Sequence, residues 1–161
     1  MIEIRKATPE DSNQIWGIIT EVISKGDTYT FDPITPKEVM LDYWYGKDKH
    51  TYVATANGIV VGTFILKDNQ PGLGSHIANG SYMVAEKASG KGIGKAMGEF
   101  SLAEAKRIGY KAIQFNIVIK SNTRAVHLWQ KLGFEIIGEI PDTYRHKVNG
   151  LTNAYIMYRR L

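Results

Sequence analysis

The organisation of this 161-residue chain is set by the stretch from Tyr82 to Met97, which reads YMVAEKASGKGIGKAM. An apolar strand pattern runs into a polar turn that carries glycine at three alternate positions, Gly90, Gly92 and Gly94. A helical pattern starts directly after the turn. Glycines let the backbone approach a ligand, and the free N–H groups and dipole of a helix N-terminus favour an anion. The stretch therefore predicts a phosphate or pyrophosphate site held mainly by main-chain amides.

The same turn can also be interpreted as a tight turn without a ligand or as another type of phosphate-binding loop. Lys91 and Lys95 add positive charge, but the glycines are also compatible with a tight turn and close strand–helix packing without a ligand. Two other phosphate loops fit poorly. A P-loop needs Ser or Thr directly after its lysine, and Ala96 follows Lys95. A dinucleotide fingerprint needs a further glycine where Met97 stands.

Composition favours an ordinary globular protein, with 43% hydrophobic and 22% charged residues. The length suits one domain, and we expect residues 1–161 to form it. No apolar run is as long as a membrane span, and the first residues do not form a signal peptide. The chain has no cysteine, which excludes a disulfide frame, a thiol nucleophile and a thiolate metal site. We expect a cytoplasmic protein with no metal and no membrane contact.

The charge of the chain argues against a nucleic-acid partner. The net charge is only +4, and the lysines are spread along the sequence without a block of like charges. A mildly positive surface still favours an anionic small ligand.

Periodicity and turn residues predict strands and helices along the whole chain. The predicted strands cover residues 2–5, 51–56, 59–66, 77–84, 112–118, 134–140 and 153–158. The predicted helices run from about residue 8 to residue 25, from 35 to 44, from 92 to 109 and from 121 to 133, and residues 141–150 are predicted to form a loop. Antiparallel strands come first and βαβ crossovers later, which indicates a mixed sheet with helices on both faces.

This order, together with two motifs, resembles the GNAT superfamily of acyl-CoA N-acetyltransferases. The family's acyl-CoA loop is Gln or Arg, two residues, Gly, one residue, and Gly or Ala, and it falls on residues 89–94. The later motif is an Asn, an aromatic position and Leu-Gly-Phe, here Asn122, Trp129 and residues 132–134. Thr30-Phe31 and the segment from Tyr144 onward are most similar to the phosphinothricin acetyltransferase-like branch.

The resemblance implies an α/β (α+β) domain with a mixed, mostly antiparallel central sheet of about six to seven strands. It also implies a V-shaped split between the strand before the glycine loop, residues 77–84, and the next strand, residues 112–118. Parting strands leave backbone groups unpaired unless a ligand bonds them, and the pantetheine arm of the cofactor can do so.

The implied acyl donor is acetyl-CoA, attacked directly by a neutral amine. Its pantetheine would pair with the backbone of Met83 and Val84, and the Val84 N–H would stabilise the oxyanion. Asn122 would bond the cofactor near the thioester, and Trp129 would pack beside or line its channel. The pyrophosphate would lie on Ser89, Gly90, Lys91, Gly92, Ile93, Gly94 and Lys95.

The sequence departs from the family in three places. Trp129 stands where a Tyr often protonates the leaving thiolate, and an indole N–H has no useful acidity. Ser89 replaces Gln or Arg, so one polar group near the pyrophosphate is missing. Asn79 replaces the Glu of the phosphinothricin-type branch and cannot accept a proton, which leaves His76 or a water chain as the base.

The resemblance predicts an enzyme that acetylates a primary amine of a small molecule or amino acid. The candidates for the wall of the acceptor cleft are Tyr29, Phe31, Asp32 and Tyr144. Acetylation of a protein N-terminus or lysine remains an alternative, and so does an acyl-CoA-binding module without catalysis. Homodimers are common in the resembled family.

Overall fold

The computed structural model describes residues 1–161 and contains seven strands and four α-helices. The strands are β1 (Ile2–Lys6), β2 (Lys49–Ala56), β3 (Ile59–Asp68), β4 (Ile77–Val84), β5 (Ala112–Ile119), β6 (Glu135–His146) and β7 (Gly150–Arg160). The helices are α1 (Ser12–Ser24), α2 (Lys37–Trp44), α3 (Ile93–Ile108) and α4 (Thr123–Lys131). None of the helices has the length and apolar character needed to span a membrane.

All the strands belong to one sheet, in the order β1-β2-β3-β4-β5-β7-β6. Every neighbouring pair is antiparallel except β4 and β5, which are parallel. Asn57 and Gly58 join β2 to β3 with φ angles of 51° and 77°, as a two-residue type I′ hairpin turn requires. The predicted mixed, mostly antiparallel sheet is confirmed.

Helices cover both faces of the sheet, as predicted. On one face, Ile15 of α1 and Trp44 of α2 pack in a buried cluster with Ile65 of β3. On the other, Met97 of α3 and Trp129 of α4 belong to a larger buried cluster. The sheet thus separates two apolar layers, and a ligand that reaches both must pass between strands.

The only parallel pair supplies that passage. β4 and β5 are in register only at Ile77 with Ala112 and at Ala78 with Ile113. Beyond Ala78 the two strands diverge, so the predicted V-shaped split is present. We call the side of β4 that faces this gap, from residue 79 to residue 84, the open edge.

The predicted loop over residues 141–150 is wrong. β6 continues to His146 and β7 begins at Gly150, so only a short turn separates them. Pro141 is tolerated because β6 is the last strand of the sheet and the register shifts between Ile140 and Tyr144. Proline is compatible with an edge strand at such an irregularity.

Candidate active site

A cavity of about 440 Å³ lies in the gap between β4 and β5. Gly94 of α3 and Leu128 of α4 line it from one face of the sheet, and Tyr43 of α2 lines it from the other. The cavity therefore passes through the sheet. We call one part of the cavity the loop end; it is lined by Gly94, Asn122, Ala125 and Leu128. We call the other part the acceptor end; it is lined by Thr28, Tyr29, Thr30, Phe31, Tyr43, Lys67, Asn79 and Ser81.

The glycine turn has the geometry of an anion-binding loop. Gly90 and Gly92 both have φ of 79°, a left-handed conformation that favours glycine. Gly92 is the N-cap of α3, and a Cβ built on it would meet no atom within 4 Å. Ile93 is the first residue of the helix, and its side chain is buried in the core. Most of the loop amides are thus presented to open space, whereas the Lys91 N–H donates to the Ala88 carbonyl at 3.3 Å.

An arginine that the sequence analysis missed joins this loop. Arg124, at the start of α4, donates a hydrogen bond from Nη1 to the Ser89 hydroxyl at 2.7 Å. Its guanidinium also lies 3.6 Å from the position of a Cβ on Gly90. Arg124 thus brings positive charge beside Ser89, whereas Lys95 forms an ion pair with Glu99 at 3.7 Å. The position of Arg124 in the first turn of the helix after Asn122 was the available sequence signal.

The open edge of β4 is occupied at one residue by a side chain from the front of the chain. The Tyr29 hydroxyl donates to the Tyr82 carbonyl and accepts a hydrogen bond from the Tyr82 N–H at 2.9 Å. Burial raises the pKa of Tyr29 to about 12, so the phenol is neutral at ordinary pH. Tyr29 lines the cavity and is hydrogen-bonded to β4, the strand with which the cofactor was predicted to pair.

The alternation of backbone groups decides which residues of β4 face the gap. The Ala85 N–H donates to the Val61 carbonyl at 2.9 Å, toward β3. Neighbouring backbone groups point to opposite edges, so Val84 presents its N–H and C=O to the open edge. Met83, opposite Thr63 in β3, directs its backbone groups away from the gap. The predicted pairing of pantetheine with the Met83 backbone is therefore not supported, while the Val84 N–H remains available.

Two predicted acceptor residues lie elsewhere. Tyr144 is buried, and its hydroxyl donates to the Tyr29 carbonyl at 3.1 Å, so it supports the loop rather than lining the main cavity. The Asp32 carboxylate accepts a hydrogen bond from the Ile34 N–H at 3.0 Å. Asp32 and Tyr144 line a neighbouring depression instead, which shares Tyr29, Thr30 and Phe31 with the main cavity. Tyr29 and Phe31 do line the acceptor end, with ring centroids 6.0 Å apart.

Asn79, which replaces the basic Glu of the resembled branch, and His76, the candidate base, occupy different places. Asn79 lines the cavity, and its side-chain amide donates to the side-chain Oδ1 of Asn69 at 3.1 Å. His76 is exposed, precedes β4 and does not line the cavity. Eight residues separate it from Val84, which corresponds to roughly 26 Å of extended strand. The structure therefore gives no support to His76 as the base.

Asn122 and Trp129 both line the cavity. Asn122 is the N-cap of α4 and accepts a hydrogen bond from the Ala125 N–H at 3.3 Å. The Trp129 ring is 4.7 Å from Tyr82 and 4.6 Å from Phe115, centroid to centroid. Trp129 is thus a core side chain with one edge on the cavity, as the sequence analysis inferred.

Tyr29→Phe is expected to lower the free energy of unfolding by about 1–2 kcal/mol, because two backbone hydrogen bonds of Tyr82 are lost and water replaces them only in part. Chemical denaturation would measure this. Tyr158→Phe is a matched control, since Tyr158 is half-buried on β7 and its hydroxyl makes no hydrogen bond within the chain. Equal stability of the two variants would contradict a structural role for the Tyr29 hydroxyl.

Comparisons with known proteins agree with this geometry. The model of the acetyltransferase (GNAT) family matches residues 18–134. The N-acetyltransferase aca1 of Schizosaccharomyces pombe is 40% identical over 98 residues, 60% of this chain, and the match spans 47% of the length of aca1.

Solved structures are similar over nearly the whole chain. A GCN5-related N-acetyltransferase from Kribbella flavida is 38% identical, with a TM-score of 0.94 over 99% of this chain and 98% of that one. A phosphinothricin acetyltransferase from Sinorhizobium meliloti, in complex with AcCoA, has a TM-score of 0.88 at 21% identity, covering 99% of this chain and 88% of that one. The second similarity is one of fold.

Proposed function

Because the chain belongs to the GNAT acetyltransferase family, we propose that residues 1–161 form one N-acetyltransferase domain that transfers the acetyl group of acetyl-CoA to a primary amine of a small molecule or amino acid. The observation that carries this proposal is the cavity that crosses the sheet between β4 and β5, with the glycine loop at one end. One end suits a diphosphate and the other suits a small acceptor.

The acyl donor would enter from the loop end. Its diphosphate would bind the amides from Gly90 to Lys95, with the guanidinium of Arg124 and the exposed Lys91 beside them. A bidentate guanidinium is well suited to phosphate oxygens. The pantetheine arm would lie in the gap, where the open edge of β4 offers the N–H and C=O of Val84.

The transfer then needs positioning, oxyanion stabilisation and the loss of one proton from the amine. The amine nitrogen would attack the thioester carbon, and the Val84 N–H would donate to the oxygen as it gains charge. Collapse of the tetrahedral intermediate breaks the C–S bond and releases CoA thiolate. A thiol has a pKa of about 8.5, so water can protonate the thiolate without help from Trp129.

No carboxylate or imidazole lines the cavity. Burial raises the pKa of both Tyr29 and Tyr82, so neither phenol is a base at neutral pH. The proton of the amine would therefore pass to water, and the acceptor would react as the free base. The pH dependence of the reaction should follow the acceptor rather than the enzyme.

For subsaturating acceptor, kcat/KM is expected to rise with pH up to the pKa of the acceptor's own amine. Two acceptors with amine pKa values about one unit or more apart should give pH profiles displaced by the same amount. Stopped assays of free thiol release would measure the profiles. A common inflection for both acceptors would instead reveal a base on the enzyme. His76→Gln should leave both profiles unchanged because His76 is far from the cavity.

The loop that lines the acceptor end favours a small molecule over a protein substrate. The loop of residues 26–33 is held by the Tyr144 hydroxyl at Tyr29 and by the Lys147 N–H, which donates to the Gly26 carbonyl at 3.1 Å. A polypeptide would need this loop to move. Thiol release with a panel of small amines, and with peptides carrying a free N-terminus or lysine, tests the preference.

The same assay separates an enzyme from a binding module. Trp129 and Asn79 stand where the family often has reacting groups, which keeps a non-catalytic acyl-CoA-binding function open to test. Binding of acetyl-CoA in calorimetry without thiol release from any amine would favour the module. The proposal also includes a cytoplasmic location and a homodimer. Analytical sedimentation would measure the oligomeric state.

A further inference from the structure

Lys67 is the only charged side chain among the residues that line the cavity. It lies on β3 at the acceptor end, and Tyr43 of α2 lines the same end. The Lys67 Nζ lies 5.7 Å from the centroid of the Tyr43 ring. A lone ammonium in a cavity without a carboxylate favours a ligand with negative charge.

Lys67 has no ion-pair partner of its own. It takes part in none of the six ion pairs of the chain. Directly across the β2–β3 pair is Lys49, whose Nζ is 2.9 Å from an Asp48 oxygen. The pKa of Asp48 is lowered chiefly by its hydrogen bond to Lys49 and less by Lys67. Like charges opposite each other on neighbouring strands repel. Asp48 offsets part of this repulsion, and an anion beside Lys67 would offset more of it.

The other polar groups at this end are neutral amides and hydroxyls. Asn79 is directly across the β3–β4 pair from Lys67. The side-chain Oδ1 of Asn69 accepts hydrogen bonds from the side-chain amides of Asn79 at 3.1 Å and Asn116 at 2.8 Å. The acceptor end therefore offers no carboxylate to pair with an ammonium, and it offers Lys67 to an anion.

The separation of Lys67 from the open edge sets the shape of such a ligand. Asn79, at the level of Lys67, is five residues from Val84, which corresponds to roughly 17 Å of strand. The flexible four-carbon stem of the lysine covers part of that distance. The amine must reach the thioester beside the Val84 N–H, and the anion must reach Lys67. The two groups of such a ligand must therefore be several bonds apart.

We propose that Lys67 binds a carboxylate of the acceptor, so that the preferred substrates are small amines that carry a carboxylate several bonds from the reacting nitrogen. This inference rests on the proposed function and names its substrate class. The carboxylate is held by the ammonium and the amine approaches the thioester as the free base. The carboxylate thus lies at the acceptor end of the cavity, and the amine lies in the gap beside the open edge of β4.

The test compares acceptors that differ only in charge. 4-Aminobutyrate and 6-aminohexanoate are each paired with the corresponding carboxamide, which keeps chain length and leaves the amine pKa nearly the same. The wild-type protein is expected to prefer the acid, by about tenfold or more in kcat/KM for the better chain length, since Lys67 is half-buried and a close charge pair contributes on that scale. A ratio near one for both lengths would overturn the proposal.

Variants assign the preference to Lys67. In Lys67→Met the acid-to-amide ratio should fall below about two through a higher KM for the acid, and Lys67→Arg should retain a clear preference because it keeps the charge. Lys47→Met is the matched control, since it removes the same charge from an exposed position nearby that does not line the cavity. An unchanged ratio in Lys67→Met would also overturn the proposal.

Calorimetry separates this inference from the proposed function. If no amine is acetylated, the proposed function fails, and titration of 6-aminohexanoate and its carboxamide into the CoA-bound protein decides the inference alone. Tighter binding of the acid that is lost in Lys67→Met supports an anion subsite. Equal binding of both compounds, or binding of neither, overturns it.

Discussion

Gly92→Trp is expected to abolish measurable binding of acetyl-CoA and CoA. Gly92 is the N-cap of α3, and the space around its missing Cβ is empty of protein atoms within 4 Å. An indole there would fill the volume in front of the loop amides, which is where the diphosphate is proposed to lie. We expect the Kd to rise by at least about 100-fold, since the steric block removes the charge-assisted hydrogen bonds of the loop.

Backbone strain does not account for such a loss, and a control separates the two effects. Gly109 is the C-cap of the same helix, also has a positive φ (116°), and also has nothing within 4 Å of a built Cβ. It is roughly 25 Å from Gly92 along the helix axis. Gly109→Trp should therefore carry a similar conformational cost, about 1–2 kcal/mol, while the Kd stays within about threefold of the wild-type value.

Calorimetric titration of both variants with acetyl-CoA, after denaturation curves have confirmed that each is folded, would measure the difference. Retained affinity in Gly92→Trp would mean that the diphosphate binds elsewhere. Equal loss in the two variants would mean that damage to α3, rather than occlusion of the loop, is responsible. Either result would remove the main support for the loop assignment.

The glycine loop was predictable because its signals are local. The strand, the alternate glycines and the helical pattern of α3 are contiguous in the sequence, and each element ends within a residue or two of its predicted position. The hairpin at Asn57-Gly58 is equally local, since the turn type follows from two residues. Where one short segment determines the geometry, residue type and spacing were sufficient.

The contacts that the sequence could not supply are non-local. Arg124 reaches Ser89 across 35 positions of sequence, and Tyr29 reaches Tyr82 across 53. Neither contact leaves a periodic signal, because each depends on how elements pack rather than on local pattern. The substitution at Ser89 was therefore interpreted as the loss of one polar group near the pyrophosphate, and Tyr29 was assigned only to the wall of the acceptor cleft.

Register explains the remaining corrections. That Val84 and not Met83 faces the gap depends on how β4 pairs with β3, and a shift of one residue would reverse the assignment. Similarly, the polar segment 141–150 was predicted to be a loop, but β6 is an edge strand, where proline and polar residues are tolerated. Strand order and register are properties of the whole sheet, so a single strand pattern does not contain them.

Val84→Pro is expected to lower kcat by about 100- to 1,000-fold, the usual effect of removing one oxyanion donor. Proline has no N–H, so it deletes the proposed donor while the chain continues. The position is unusually suitable for this test. The Val84 N–H faces the open edge, so no hydrogen bond of the β3–β4 ladder is lost, and Met83 before it is already in the extended conformation that precedes proline.

The matched control is Val84→Ala, which trims the same half-buried side chain but keeps the N–H. We expect its kcat to stay within about fivefold of the wild-type value, since it changes packing rather than the developing charge. Thiol release at saturating acetyl-CoA and acceptor would give kcat, and calorimetry would give the Kd of acetyl-CoA for each variant. A folded Val84→Pro protein with wild-type kcat would place the oxyanion donor elsewhere on the open edge. The Tyr82 N–H would then be the next candidate, and Tyr29 would have to release it when the thioester binds.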